Sequence, residues 1–93
     1  MAMVRISPLE VHVRTDWFDG RPRSIRIARA TVPVVAVEAV REESAAYPAS
    51  TGPRTLFRVL TPAARYALTY EHGRRRWFVE ALDADVHTHH AAA

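Results

Sequence analysis

Apolar and polar residues alternate one by one along several short runs of this chain, which restricts those runs to extended backbone with side chains on opposite faces. In residues 9–17, Leu9, Val11, Val13, Thr15 and Trp17 alternate with Glu10, His12, Arg14 and Asp16, giving one strand an oily row and a charged row. Asp19-Gly20 offers an easy positive-φ step and Pro22 follows at once, so the chain is expected to reverse there. Residues 23–29 repeat the period, with Ile25 and Ile27 on one side and Arg26 on the other. Residues 31–40 carry Val32, Val34, Val35, Val37 and Val40. Branching at Cβ favours pleated backbone, which makes this run the expected central strand. Pro33 cannot donate to a ladder and belongs at a bulge, a strand start or an edge.

Residues 44–54, SAAYPASTGPR, combine prolines, a glycine and small polar side chains without a period, and read as a long exposed loop. Three further strand-like runs follow. Residues 55–61 are apolar on both faces except at Arg58; Tyr66, Leu68 and Tyr70 alternate with polar or small neighbours; Trp77, Val79 and Ala81 oppose Phe78, Glu80 and Leu82. The spacing predicts an all-β fold, a small curled antiparallel sheet or partly open barrel of about six strands that encloses one apolar layer. The alternative is an α+β fold with a helix near 62–72, because Thr61-Pro62 resembles an N-cap followed by a first-turn proline. Residues 1–86 form the expected single domain and 87–93 a flexible tail.

At 93 residues there is room for one core, and the absence of cysteine removes disulfides and thiolate ligands. No run approaches the roughly 20 apolar residues of a membrane span, and the N-terminus has no signal-peptide pattern, so a cytoplasmic location is expected and a membrane partner is not. The net charge is +3, carried on the basic side entirely by arginine, whose planar fork suits phosphates and carboxylates.

Arg21, Arg23, Arg26 and Arg29 surround one predicted turn and strand, and Arg74, Arg75 and Arg76 crowd another. Their fields could add into a patch for nucleic acid or an acidic partner. Trp17 and Phe18 at the first turn could stack on bases if exposed, with Trp77 and Tyr70 as lesser contributors, although a tryptophan in a strand such as Trp77 reads first as core. Glu38 shares parity with valines and calls for an arginine or backbone partner. His87, His89 and His90, with Asp83 and Asp85, hold atoms able to bind metal, but a terminal tract lacks the supporting shell of a dedicated site, so no metal or cofactor is expected. No glycine loop, serine nucleophile motif or histidine pairing specifies an enzyme.

The segments LEVHVR (9–14), DGRPRSIRIARATVPVVAVEAVRE (19–42) and RYALTYEHGRRRWFVEALD (65–83) resemble an uncharacterised bacterial family of small β-rich domains, found alone and at the C-terminus of proteins related to Y-family DNA polymerases. The resemblance covers most of the chain and implies a DNA-linked context. It brings no catalytic residues. Here Ala28-Arg29-Ala30-Thr31 and the tryptophan-free loop at 44–54 depart from the family's pattern, which leaves no loop-borne site to transfer. The expected role is an accessory binding module for DNA, RNA or a DNA-processing protein. A homodimerisation or docking module built on residues 55–61 and free sheet edges is the first alternative, and a small hydrolase using Glu38 with a histidine is the second.

Overall fold

A computed structural model describes residues 3–43 and 52–84. They form seven strands: β1 (Val4–Thr15), β2 (Pro22–Ile27), β3 (Ala30–Pro33), β4 (Ala36–Glu43), β5 (Arg54–Leu60), β6 (Arg65–Glu71) and β7 (Arg76–Asp83). Every pairing is antiparallel, and the order across the sheet is β3-β2-β1-β7-β6-β5-β4. The all-β expectation holds, and there is no helix among the described residues.

The valine-rich run is not one central strand. It breaks at Val34-Val35 into β3 and β4, which are the two edges of the sheet. In a flat sheet those edges would lie about 29 Å apart, while two residues reach only about 7 Å; the sheet therefore has to curl. The connector shows how. Val34 N–H donates to the Arg23 carbonyl beside β3 at 2.8 Å, and Val35 N–H donates to the Leu60 carbonyl of β5 at 2.7 Å. Consecutive amides thus tie the two halves of the sheet together. Pro33 sits at the end of edge strand β3, in keeping with its missing donor.

β1 makes the corner. Its first part pairs with β7, from Val4 opposite Leu82 to Val11 opposite Trp77, and its last part pairs with β2, from His12 opposite Arg26 to Thr15 opposite Pro22. Inside the curl, Val11, Ile25, Phe57, Val59, Leu68 and Val79 form the buried core, with Ile6, Val13, Ile27, Val34, Val37, Tyr66 and Trp77 packed against it. The rows follow from register: Phe57, Leu68 and Val79 stand side by side on β5, β6 and β7, and Val13 faces Ile25, which faces Val32. Alternation placed Val11, Val13, Ile25, Leu68 and Val79 on the inner side, but Leu9 and Trp17, assigned to the same oily row, are exposed.

The helix alternative fails at its first turn. Thr61 Oγ1 accepts from Ala63 and Ala64 N–H at 3.2 and 3.0 Å, as an N-cap would, but it also donates to the Ala64 carbonyl at 2.7 Å. Thr61 N–H donates to the same carbonyl, so the segment closes a tight turn and Arg65 enters β6. Placing Tyr66 and Leu68 in the inner rows stabilises that outcome more than helix propensity favours the other.

The ladder carries an extra residue at Glu38 in β4 and at Glu80 in β7, where the register steps. The first step takes Glu38 out of the valine parity that the sequence suggests, leaving Val37 on the inside. Arg65 Nε donates to Glu38 Oε1 at 2.9 Å. Arg54 Nη2 and Thr69 Oγ1 donate to the two oxygens of Glu80 at 2.6 and 2.7 Å. Each bulge therefore places a carboxylate where an arginine two strands away, across the intervening strand, holds it.

Leu68→Ala should lower unfolding free energy by about 2–5 kcal/mol, whereas Val40→Ala on the exposed edge should cost no more than about 1 kcal/mol. Ala28 has φ 55° in the β2–β3 turn, so Ala28→Gly should stabilise the domain by about 1 kcal/mol. Urea denaturation followed by circular dichroism checks all three.

Candidate functional site

The loop between β1 and β2 is ordered by its own acidic residues. Asp16 Oδ1 accepts from Phe18 N–H at 2.8 Å, and Asp19 Oδ1 accepts from Arg21 N–H at 2.9 Å. Asp16 N–H donates to the Arg21 carbonyl and Gly20 N–H to the Asp16 carbonyl, at 2.8 and 2.7 Å. Gly20 has φ 73°, a conformation strained for other residues. Arg23 Nη2 lies 3.1 Å from Asp16 Oδ2, which closes the base of the loop.

This rigid frame holds two large aromatics in solvent. Trp17 is 91% exposed and Phe18 83%, and their ring centroids are 5.4 Å apart. Leaving such a side chain wet forgoes about 1.5–3 kcal/mol of burial.

Next to Trp17 a depression of about 450 Å³ is lined by Arg14, Thr15, Asp16, Arg23 and Ser24. A second, of about 310 Å³, is lined by His12, Val13, Arg14, Ser24, Arg26 and Thr31. Arg14 and Ser24 line both, so the two form one trough along the outer face of β1, β2 and β3. Cross-strand register explains it: His12 faces Arg26, which faces Thr31, and Arg14 faces Ser24. Arg14 and Arg26 have no ion-pair partner among the described residues. Continuing the β1–β7 register one residue past Val11 opposite Trp77 brings Arg76 level with His12; its guanidinium lies 3.7 Å from Glu10.

The sequence-predicted arginines therefore do not form one patch. Arg21 and Arg23 flank the aromatic loop, Arg26 faces the trough, and Arg29 lies in the turn at the other end of β2, about 20 Å away at strand rise. Arg74 and Arg75 lie in the β6–β7 turn and Arg76 starts β7; Arg74 is 3.8 Å from Glu71. Sequence reasoning missed His12, Arg14, Ser24 and Thr31 as site residues. Their parity was visible, but which strand stands beside β1 was not.

A separate cavity of about 280 Å³ opens between the loop and the β6–β7 turn, lined by Thr15, Gly20, Thr55, Phe57, Tyr70, His72 and Trp77. Thr55 Oγ1 and His72 Nε2 are 2.7 Å apart. The Tyr70 ring meets His72 edge-on at 4.8 Å and lies 4.8 Å from Trp77, and Phe57 lies 5.4 Å from Trp77. Trp77 packs against the core as expected, with part of its ring on this cavity.

Glu38 lies elsewhere, in a charged cavity of about 530 Å³ with Met3, Ala39, Arg58, Arg65 and Asp83. The hydrogen bond and charge of Glu38 raise the pKa of Arg65, keeping the guanidinium protonated. No described histidine lines this cavity. No group of three or more metal-ligating side chains occurs among the described residues, and His87, His89, His90 and Asp85 lie outside them, as do residues 44–51 of the expected loop. No helix among the described residues is long and apolar enough to cross a membrane. Compared with family models, curated proteins and solved structures, the chain matches none.

Asp16→Ala removes the acceptor for Phe18 N–H and the partner of Arg23. The variant should lose about 1 kcal/mol of local stability, measured as faster hydrogen exchange at the Phe18 amide while core amides in β6 stay protected.

Proposed function

We propose that this domain is an accessory binding module for single-stranded nucleic acid, with the outer trough of β1–β3 as its interface. The observation that carries this reading is the ordered, solvent-exposed Trp17–Phe18 pair beside a trough whose Arg14 and Arg26 lack acidic partners among the described residues. Single strands are held by cationic grooves that follow the backbone and by aromatic rings on which bases stack. Arg14 and Arg26 take phosphates, Ser24 and Thr31 add hydroxyl donors, and Trp17 supplies the stacking face. Arg23 contributes less, because Asp16 already neutralises it.

A second reading, self-association, has its own observation. β5 lies inside the sheet between β4 and β6, so residues 55–61 offer no free edge; β4 does, with Val35 63% and Val40 47% exposed nearby. Light scattering at high protein concentration decides it, because a strict monomer removes it.

Titration with short single-stranded DNA and RNA at several salt concentrations tests the main proposal. Affinity should fall with salt, and Arg14→Ala and Arg26→Ala should each flatten the slope of log K against log salt by about 0.7. Trp17→Ala should cost about 1–3 kcal/mol of binding. Absence of binding at low salt would falsify the assignment.

A further inference from the structure

We infer that the aromatic cavity between the β1–β2 loop and the β6–β7 turn receives one unstacked nucleobase. This inference rests on the nucleic-acid reading of the trough, since it names what the end of the bound strand does.

The cavity has the shape and chemistry of a base site. Phe57, Tyr70 and Trp77 give it aromatic walls, and its roughly 280 Å³ lies just below the range of about 300–1,000 Å³ that suits drug-sized ligands, a scale appropriate to a single ring system. Thr55 Oγ1 and His72 Nε2 meet on its lining at 2.7 Å; they can exchange that contact for the hydrogen-bonding edge of a base. Tyr70 holds the His72 ring edge-on. The lining includes no aspartate, glutamate or arginine, so a phosphate gains nothing by entering, whereas a flat ring can stack.

The surroundings assign the phosphates to the rim. Gly20 on one lip is followed by Arg21, and His72 on the other is followed in its turn by Arg74 and Arg75. Thr15 lines both this cavity and the depression holding Arg14 and Trp17. A strand running along the trough therefore reaches Thr15, where its next base can leave the stack and enter the cavity.

The test uses oligonucleotides of equal length and charge, each with one abasic site placed at successive positions, titrated into the full chain. Besides the position that stacks on Trp17, whose effect Trp17→Ala should remove, one further position should weaken binding about tenfold when its base is missing. With Trp17→Phe, Trp77 is the remaining tryptophan, and its fluorescence should be quenched by the intact oligonucleotide and not by that abasic one. Tyr70→Leu should bring the intact oligonucleotide's affinity down to the abasic value without altering the salt slope. His72→Ala, on the exposed turn, serves as a second variant if Tyr70→Leu does not fold.

Salt-dependent binding that responds to an abasic site only at the position whose effect Trp17→Ala removes overturns the pocket and leaves the trough standing. If no oligonucleotide binds at low salt, the trough reading falls, and nucleosides titrated against Trp77 decide the pocket separately. Quenching that Tyr70→Leu abolishes retains it as a base site; unchanged fluorescence overturns it.

Discussion

Two residues, Val34 and Val35, join the outermost strands of a seven-stranded sheet, and the rest of the architecture answers to that short tether. With the edges drawn together, the inner rows of β5, β6 and β7 converge on those of β1 and β2, and Leu68, Val59 and Ile25 are sealed from water. The antiparallel pairing also brings the β1–β2 loop and the β6–β7 turn to one end of the curl, where Gly20 and His72 line a common cavity.

The charges sort themselves within that frame. Glu80 and Glu38 hold Arg54 and Arg65, and Asp16, Glu71 and Glu10 lie near Arg23, Arg74 and Arg76. Neutralised arginines contribute little long-range field. On the outer face of β1 and β2, Arg14 and Arg26 remain without acidic partners among the described residues and stand together on one depression. A modest net charge can therefore coexist with a local positive trough, and total charge alone would not have located it.

Alternation made the strands, the inward rows and the antiparallel class legible. It placed Val11, Ile25, Leu68 and Val79 correctly because parity depends only on neighbours in the chain. It could not identify the edges: β-branching gives the same preference to an inner or an outer strand, so the valine run suggested a centre where the structure has a break. Parity also resets at a bulge, which is why Glu38 stands with Arg65 and not among the valines. Trp17 and Phe18 were visible as candidates from the turn chemistry of Asp16, Asp19 and Gly20. The trough and the aromatic cavity were not, because each joins residues distant in sequence through pairings that no local pattern encodes.

The pairing of β1 with β7 joins the first described strand to the last. During synthesis the meander from β4 to β6 can begin to zip as it leaves the ribosome, but the corner strand waits for the final ladder before its inner side is fully covered. Full cover for the inner side of β1 therefore waits on residues through Asp83, and a chain cut before β7 would leave that side open.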